Sequence, residues 1–192
     1  MRIAFKEWAV VVDALGHGDQ ILILRKGGIS EARGGFKPEH SRFLFFPTLF
    51  HQQRESVIEA AQKRYDLISA DFPPKHLLRI GYWAEVVQAL QLGSLPAAHG
   101  LQGQHIWREE VIAERFDWGR DKNIFALAIR VYALPHRIEL PMLEAYGGCR
   151  SWIELAEDLS TEGSQPVLSD KQFATRFQAL QTSLLAHGAA TS

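Results

Sequence analysis

Two apolar runs open the chain, and a short turn with two glycines separates them. The first run covers residues 8–15 and the second covers residues 20–25, and both are rich in β-branched side chains. Gly16 and Gly18 lie in the turn between them. Two such runs around a glycine-rich turn are typical of a β-hairpin. The pattern therefore predicts that the chain begins with a hairpin.

A third apolar run predicts a strand at residues 42–46. Apolar side chains occupy both of its faces, so we expect both faces to be covered. Residues 52–68 then predict a helix, since apolar residues recur there at helical spacing, at Val57, Ile58, Ala61, Tyr65 and Ile68. Thr48 lies at the junction and is the expected N-cap of this helix.

Residues 76–92 are compatible with either a strand or a helix. Leu78, Ile80 and Tyr82 alternate as they would in a strand, whereas Ile80, Trp83 and Val87 also have helical spacing. We favour a strand, because residues 77–82 contain few good helix formers and follow two prolines.

The rest of the chain contains four further elements. Residues 105–118 predict a helix, and residues 123–134 predict a strand that Pro135 ends. A short helix is expected over residues 150–159. Ser169 is the expected N-cap of a last helix, which carries Phe173, Phe177, Leu180 and Leu184.

The order of these elements indicates an α+β protein. Strands follow one another along the chain, with helices inserted between them and appended after them. Regular strand–helix alternation, which a doubly wound sheet requires, is missing from the pattern. We predict a small, mostly antiparallel sheet or barrel that is decorated with helices. Residues 1–160 would form the core domain, and residues 161–192 a connector and a C-terminal helix packed on that core.

Composition limits the possible functions. The chain has 192 residues, 46% of them hydrophobic and 22% charged, as in an ordinary globular protein. Its net charge of −1 argues against binding to nucleic acid or membrane by bulk positive charge, but it allows a local basic patch. Cys149 is the only cysteine, and no apolar stretch approaches the ~20 residues that cross a bilayer. We expect a cytoplasmic protein without a disulfide, and the sequence leaves its oligomeric state open.

The first candidate for binding chemistry lies at the end of the second apolar run. Arg25 and Lys26 are followed by Gly27 and Gly28, so two cations and bare backbone N–H groups would face an anion there. Arg42 adds to the positive charge of this region. A solvated turn that uses glycine for its conformation is the alternative interpretation.

Two further segments combine polar and aromatic residues. Thr48, His51 and Gln52 lie beside an aromatic cluster, where they would fix a hydrogen-bonding site. The junction between a strand and a helix explains the same residues without a ligand. His105 and Trp107 would offer a hydrogen-bonding group and a platform for a nucleobase, and packing in the core is the alternative.

Metal binding and nucleophilic catalysis receive less support. His51 with Glu55, and His105 with Glu109, are each one helical turn apart, but a hydrolytic metal site usually needs a third protein ligand. Solvated pairs on helix surfaces are the favoured interpretation, and we expect neither a metal nor a cofactor. Cys149 follows two glycines, yet no base is singled out for it, so we favour a buried structural cysteine over a nucleophile.

Several runs in a fixed order resemble an uncharacterised bacterial family, domain of unknown function 1802. The matching runs are residues 6–11, 22–29, 45–52, 83–87, 105–107, 128–132 and 146–155. The resemblance covers most of the chain up to about Leu155 and implies no firmly assigned activity. Its members have been suggested, from sequence association, to belong to restriction–modification systems, so the resemblance implies such an association for this chain.

The start of the chain also resembles PUA-like barrels, including the ASCH and EVE groups. It has a strand led by Trp8, a short glycine turn, and a strand that ends in Arg25 and Lys26. Such domains generally bind RNA or modified bases in a cleft beside the barrel. The resemblance implies that Arg25 and Lys26 face the ligand, which would stack on or hydrogen-bond to Trp83, His51 or Trp107.

We therefore expect a non-catalytic module that binds a nucleic acid, a modified base or a nucleotide. Arg25, Lys26 and Arg42 would contact phosphate, and the pocket would be shaped by His51, Gln52 and Trp107. One alternative is a phosphodiester hydrolase or nuclease that uses the two His–Glu pairs as acid/base or metal groups. Another is a subunit that works with a protein partner, through an apolar patch on the last helix.

Overall fold

A computed structural model describes residues 1–26 and 40–187. Gly27 and Gly28 lie outside the described residues. The strands are β1 (Ile3–Trp8), β2 (Leu22–Arg25), β3 (Arg42–Thr48), β4 (Leu77–Leu92), β5 (Ile124–Pro141), β6 (Trp152–Glu154) and β7 (Gln165–Pro166). The helices are α1 (Ala9–Gly16), α2 (Gln52–Glu55), α3 (Glu59–Ala70), α4 (Leu95–His99), α5 (Glu109–Asp117) and α6 (Asp170–Ala186).

The strands form one mixed sheet in the order β2-β5-β4-β3-β1-β6, and β7 pairs with β5. Among the described strands, β1 and β3 run parallel and the other pairs are antiparallel. The predicted α+β class with a mostly antiparallel sheet is confirmed. β3 buries Phe43, Leu44, Phe45 and Phe46, so both of its faces are covered, as the pattern predicted.

The sheet curls until its two ends meet. β2 and β6 stand at opposite ends of the strand order. Nevertheless, Arg25 at the end of β2 donates a hydrogen bond of 2.8 Å to the hydroxyl of Ser151, directly before β6. The Arg25 guanidinium also lies 5.0 Å from the ring centre of Phe5 in β1. We call the region where the two ends of the sheet meet the seam. It comprises five residues: Glu7, Trp8, Arg25, Arg115 and Ser151.

The predicted N-terminal hairpin is wrong. Residues 9–16 form α1, and β2 pairs with β5 instead of with the first apolar run. α1 lies against the sheet and α3, so Val10, Val11 and Val12 are buried together with Ala14 and Leu15. A helix that is buried on nearly every side shows a continuous apolar run, which periodicity cannot distinguish from a strand.

The single helix predicted over residues 52–68 is divided into α2 and α3. Between them the chain is extended: Val57 forms an isolated bridge with Trp107, and the Ile58 amide donates 2.8 Å to the carbonyl of Ile106. The predicted helix over residues 105–118 begins only at Glu109 for the same reason, because residues 105–108 run beside this extended segment.

Two predictions about where elements end were also wrong. Thr48 caps no helix; it belongs to β3, and its hydroxyl donates 3.2 Å to the carbonyl of Glu7. Pro135 does not end β5. The pairing passes from Tyr82 with Ala133 to Ile80 with Ile138, so Pro135 lies in a bulge, where the missing N–H of proline is tolerated.

The short helix predicted over residues 150–159 is instead β6, an edge strand paired with β1. Ile153 and Leu155 are buried and Glu154 is exposed. This alternation of buried and exposed side chains is that of a strand and not of a helix.

The strand over residues 76–92 and the C-terminal helix are confirmed. Ser169 and Gln172 form a capping box at the start of α6. Phe173, Leu180 and Leu184 of this helix join the main hydrophobic core. In the part of the chain that the structure describes, no helix is long and apolar enough to cross a bilayer.

Candidate ligand-binding site at the sheet seam

Glu7 places a carboxylate in the interior of the seam. It lies two residues after Phe5 in β1, so both side chains face the same side of the sheet. The Glu7 side chain is fully buried, and its Oε1 accepts a 2.7 Å hydrogen bond from the Trp8 amide. No residue within 1–26 and 40–187 donates a hydrogen bond to its Oε2. A buried carboxylate oxygen without a donor is costly, so the seam holds an acceptor that the described residues leave unsatisfied.

Arg25 is the cation nearest to this oxygen. Its Nη1 lies 3.8 Å from Glu7 Oε2, which is an ion-pair distance rather than a hydrogen bond. The Arg25 side chain is 22% exposed, so it connects the buried carboxylate with solvent. β2 ends at this residue, which places the guanidinium over the edge of the curled sheet.

Arg115 supplies a second guanidinium from α5. Its Nη1 donates 2.9 Å to the carbonyl of Leu24, and its guanidinium lies 4.7 Å from the ring centre of Trp8 and 5.1 Å from that of Trp107. Burial lowers the pKa of Arg115 to about 10, although the charge of Glu7 opposes this shift. Arg115 therefore stays protonated at neutral pH, held between two indole rings by cation–π attraction.

An aromatic cluster lies beside Phe5, the ring that the Arg25 guanidinium contacts. The Trp152 ring lies 4.8 Å from that of Phe5 and 5.2 Å from those of His40 and Phe43, measured between ring centres. Trp152 is partly exposed, unlike Phe5 and Phe43. The seam thus combines a carboxylate with two guanidinium groups, and the partly exposed indole of Trp152 packs against the neighbouring Phe5.

Lys26, the residue after Arg25, binds the backbone at the end of α5 and in the segment that follows it. Its ammonium group donates to the backbone carbonyls of Phe116, Asp121 and Asn123, which uses each N–H that an ammonium offers. Burial lowers the pKa of Lys26, and the nearby charge of Asp121 opposes that shift. In this arrangement Lys26 fixes the end of α5 rather than facing an anion.

His105 and Trp107 also lie beside the seam, but both are buried. The His105 ring packs 5.5 Å from Trp107, and burial together with the charge of Arg115 lowers the pKa of His105 to about 4. His105 is therefore neutral at pH 7. Trp107 is fully buried, so the core-packing interpretation is confirmed for it. Trp118, by contrast, is 51% exposed and belongs to no core.

Other predicted site residues lie elsewhere. Arg42 makes two hydrogen bonds, of 3.1 and 2.9 Å, to the carboxylate of Glu85 on β4. Trp83 stacks on Tyr132 with ring centres 4.1 Å apart. The side chains of His51 and Gln52 are exposed at the start of α2.

The structure thus places four of the predicted residues close to Glu7 or Arg115: Arg25, Thr48, His105 and Trp107. Lys26 binds backbone carbonyls instead, and Arg42 and Trp83 have other partners. The residues that the sequence analysis missed are Glu7, Trp8, Arg115 and Ser151. One signal was present for Glu7: a single acidic residue between the apolar side chains of residues 3–12.

The two His–Glu pairs do not build a metal site. His105 precedes α5, and Glu109 pairs with His99 Nδ1 at 3.1 Å instead. Among the residues whose positions are described, no three His, Cys, Asp or Glu side chains could hold a metal ion together. Cys149 is exposed, so the prediction of a buried structural cysteine was wrong.

The helices and the curled, mostly antiparallel sheet make this an α+β protein. The chain belongs to the family described as Domain of unknown function (DUF1802), whose model matches residues 4–179. The family prediction is thereby confirmed, and the match extends beyond Leu155 into α6. No curated protein sequence matches the chain.

Among solved structures, the ASCH protein from Zymomonas mobilis is similar to this chain, with 10% sequence identity and a TM-score of 0.44. The match covers 93% of this chain and 94% of that one. A single-residue variant of the same protein gives 13% identity and a TM-score of 0.44, with coverage of 93% and 96%. ASCH is one of the groups named in the sequence-based resemblance.

Proposed function

We propose that the seam binds a nucleotide unit, free or within a nucleic acid, and that it does so without catalysis. The observation that carries the proposal is the position of Arg25. Its partly exposed guanidinium lies 3.8 Å from a buried carboxylate oxygen that no described residue satisfies.

Glu7 would recognise the edge of the base. A carboxylate oxygen accepts hydrogen bonds from the amino and imino groups that bases carry on their edges. Oε1 is already used by the Trp8 amide, which fixes the carboxylate and leaves Oε2 for the ligand. This arrangement favours bases with an N–H donor over bases with only acceptors at the same position.

Arg25 and Trp152 would hold the rest of the nucleotide. Arg25 uses Nη2 for Ser151, and its other N–H groups suit a phosphate, to which guanidinium groups bind in bidentate fashion. The partly exposed Trp152, whose ring lies 4.8 Å from that of Phe5, would line the site on the side of β6. Because the net charge is −1, binding depends on this local site rather than on the whole surface.

Fluorescence anisotropy with labelled single-stranded RNA and DNA oligonucleotides, modified bases included, tests the proposal at two salt concentrations. Arg25→Gln should weaken binding at least tenfold and reduce the salt dependence by about one phosphate contact. Arg108→Gln is the matched control, because Arg108 is exposed and its ion pair with Glu110 lies on the surface.

Glu7→Gln should alter the preference among bases more than the salt dependence. The proposal fails if the wild-type protein binds no oligonucleotide, or if Arg25→Gln and Arg108→Gln behave alike. Association with a restriction–modification system and a cytoplasmic location stay predictions.

A further inference from the structure

A second cavity, of about 140 Å³, lies between α1, the end of α3 and the bulged part of β4 and β5. None of the seam residues lines it. Its walls are mostly apolar and include Val12, Ile68, Phe72, Leu78 and Met142. A cavity of this size has room for several water molecules and therefore for a small ligand.

Residues of opposite charge line this cavity. Asp13 of α1 is about one-quarter exposed and pairs with Arg64 at 3.0 Å and with His17 at 3.5 Å. Arg137, in the β5 bulge, is 65% exposed, and its closest described partner is Asp71, at 3.7 Å. Arg79, the other guanidinium in the lining, is already used by Asp71 and Glu139. Arg137 is therefore the cation with donors to spare.

Tyr82 adds a hydroxyl group to the same lining, close enough for Asp13 and Arg137 to act on it. Its ring lies directly over Gly16, where an added Cβ would come within 2.4 Å of the ring atom Cζ. Within the described ranges, no residue makes a hydrogen bond to the Tyr82 hydroxyl. Burial raises the pKa of this hydroxyl, and the charges of Asp13 and Arg137 both act on it. The hydroxyl is thus a protonated donor at neutral pH.

We propose that this cavity binds a small zwitterionic amino acid with a branched aliphatic side chain. The ligand's ammonium group would face Asp13, and its carboxylate would accept hydrogen bonds from Arg137 and the Tyr82 hydroxyl. The aliphatic side chain would fill the space between Val12, Ile68 and Leu78. This site is independent of the nucleotide site at the seam.

Isothermal titration calorimetry with L-leucine and two analogues tests the charge pattern. 4-Methylpentanoate lacks the ammonium group, and 3-methylbutylamine lacks the carboxylate. We expect saturable binding of L-leucine and at least tenfold weaker binding of each analogue. Absence of saturable L-leucine binding, or equal binding of all three compounds, would overturn the proposal.

Variants of the full chain then assign the contacts. Arg137→Gln should weaken L-leucine binding at least tenfold and leave the weak binding of 3-methylbutylamine unchanged, because only the carboxylate loses its partner. Tyr82→Phe should weaken L-leucine binding less, by severalfold. Arg120→Gln, in an exposed loop outside the cavity, is the control and should bind as the wild type does. If Arg137→Gln binds L-leucine as tightly as Arg120→Gln, the proposed carboxylate contact is wrong.

Discussion

Nη1 of Arg25 lies 3.8 Å from Oε2 of Glu7, although their strands, β2 and β1, are separated by three other strands in the sheet. Only a sheet that curls back on itself can produce this contact. The curl places the buried negative charge of Glu7 beside the guanidinium groups of Arg25 and Arg115. Each charge is tolerated in this buried region because a charge of opposite sign lies near it.

Replacement of Glu7 by glutamine tests this charge balance. The substitution removes the negative charge and leaves the guanidinium groups of Arg25 and Arg115 without a counterion. We expect the free energy of unfolding to fall by on the order of 3 kcal/mol, the scale for breaking a buried ion pair. Urea denaturation measures it.

Glu154→Gln is the matched control for that experiment. Glu154 is exposed and lies 3.6 Å from Arg2, so its loss should change stability by only about 0.5 kcal/mol. Equal stability of the two variants would show that Glu7 is not needed to balance the seam.

His105 should make stability depend on pH. Its pKa is lowered to about 4 in the folded protein from an ordinary value of 6.5. Between these values the unfolded chain binds the proton and the folded chain does not. The free energy of unfolding should therefore fall as the pH drops from 6.5 towards 4, by about 2 to 3 kcal/mol.

Urea titrations at pH 7 and pH 4.5 measure this effect. His105→Gln should lose that part of the pH dependence, while His136→Gln, with an exposed side chain, should retain it. If His105→Gln keeps the wild-type difference between the two pH values, another group causes the acid sensitivity.

The sequence predicted those elements whose local signals agree with their tertiary surroundings. α6 has a serine N-cap, a stripe of apolar residues at helical spacing and an exposed outer face. Its sequence pattern and its packing against the core therefore both favour the same helix. β4 alternates because only one of its faces is deeply buried along much of its length. α1 gave no such signal, because α3 and the sheet cover Val10–Val12 from several sides and Asp13 is the only charged residue of the helix.

The site was predictable only in part, because curvature assembles it. Arg25 could be found from the charge at the end of an apolar run. Its partners Glu7, Arg115 and Ser151 come from three distant segments, and the seam brings them together only when the sheet curls. A sequence pattern reports neighbours along a strand or a helix, and it does not report contacts between the two ends of a sheet.

Gly16 should be intolerant of a side chain. An alanine Cβ would lie 2.4 Å from the Tyr82 ring, and moving that ring disturbs the cavity beside α1. We expect Gly16→Ala to destabilise the protein by about 1 to 3 kcal/mol, the range for overpacking. Thermal denaturation measures the change.

Gly93→Ala is the corresponding control, since nothing lies within 4 Å of a Cβ at that position. Its effect should stay near 0.5 kcal/mol, as is usual for a change away from the core. An equally mild Gly16→Ala variant would mean that Tyr82 moves aside freely, and it would weaken the case for a fixed hydroxyl in the cavity.

Two adjacent leucines of α6 test whether the C-terminal segment is part of the core. Leu184 is completely buried, whereas Leu185 is 64% exposed. Leu184→Ala should lower the free energy of unfolding by about 2 to 5 kcal/mol, because it leaves a cavity among core side chains. Leu185→Ala should change it by less than about 0.5 kcal/mol. Urea denaturation distinguishes the two: a single cooperative transition at lower urea for Leu184→Ala supports a helix packed on the core domain. An early separate transition, or no difference between the variants, would mean that residues 161–187 fold independently of it.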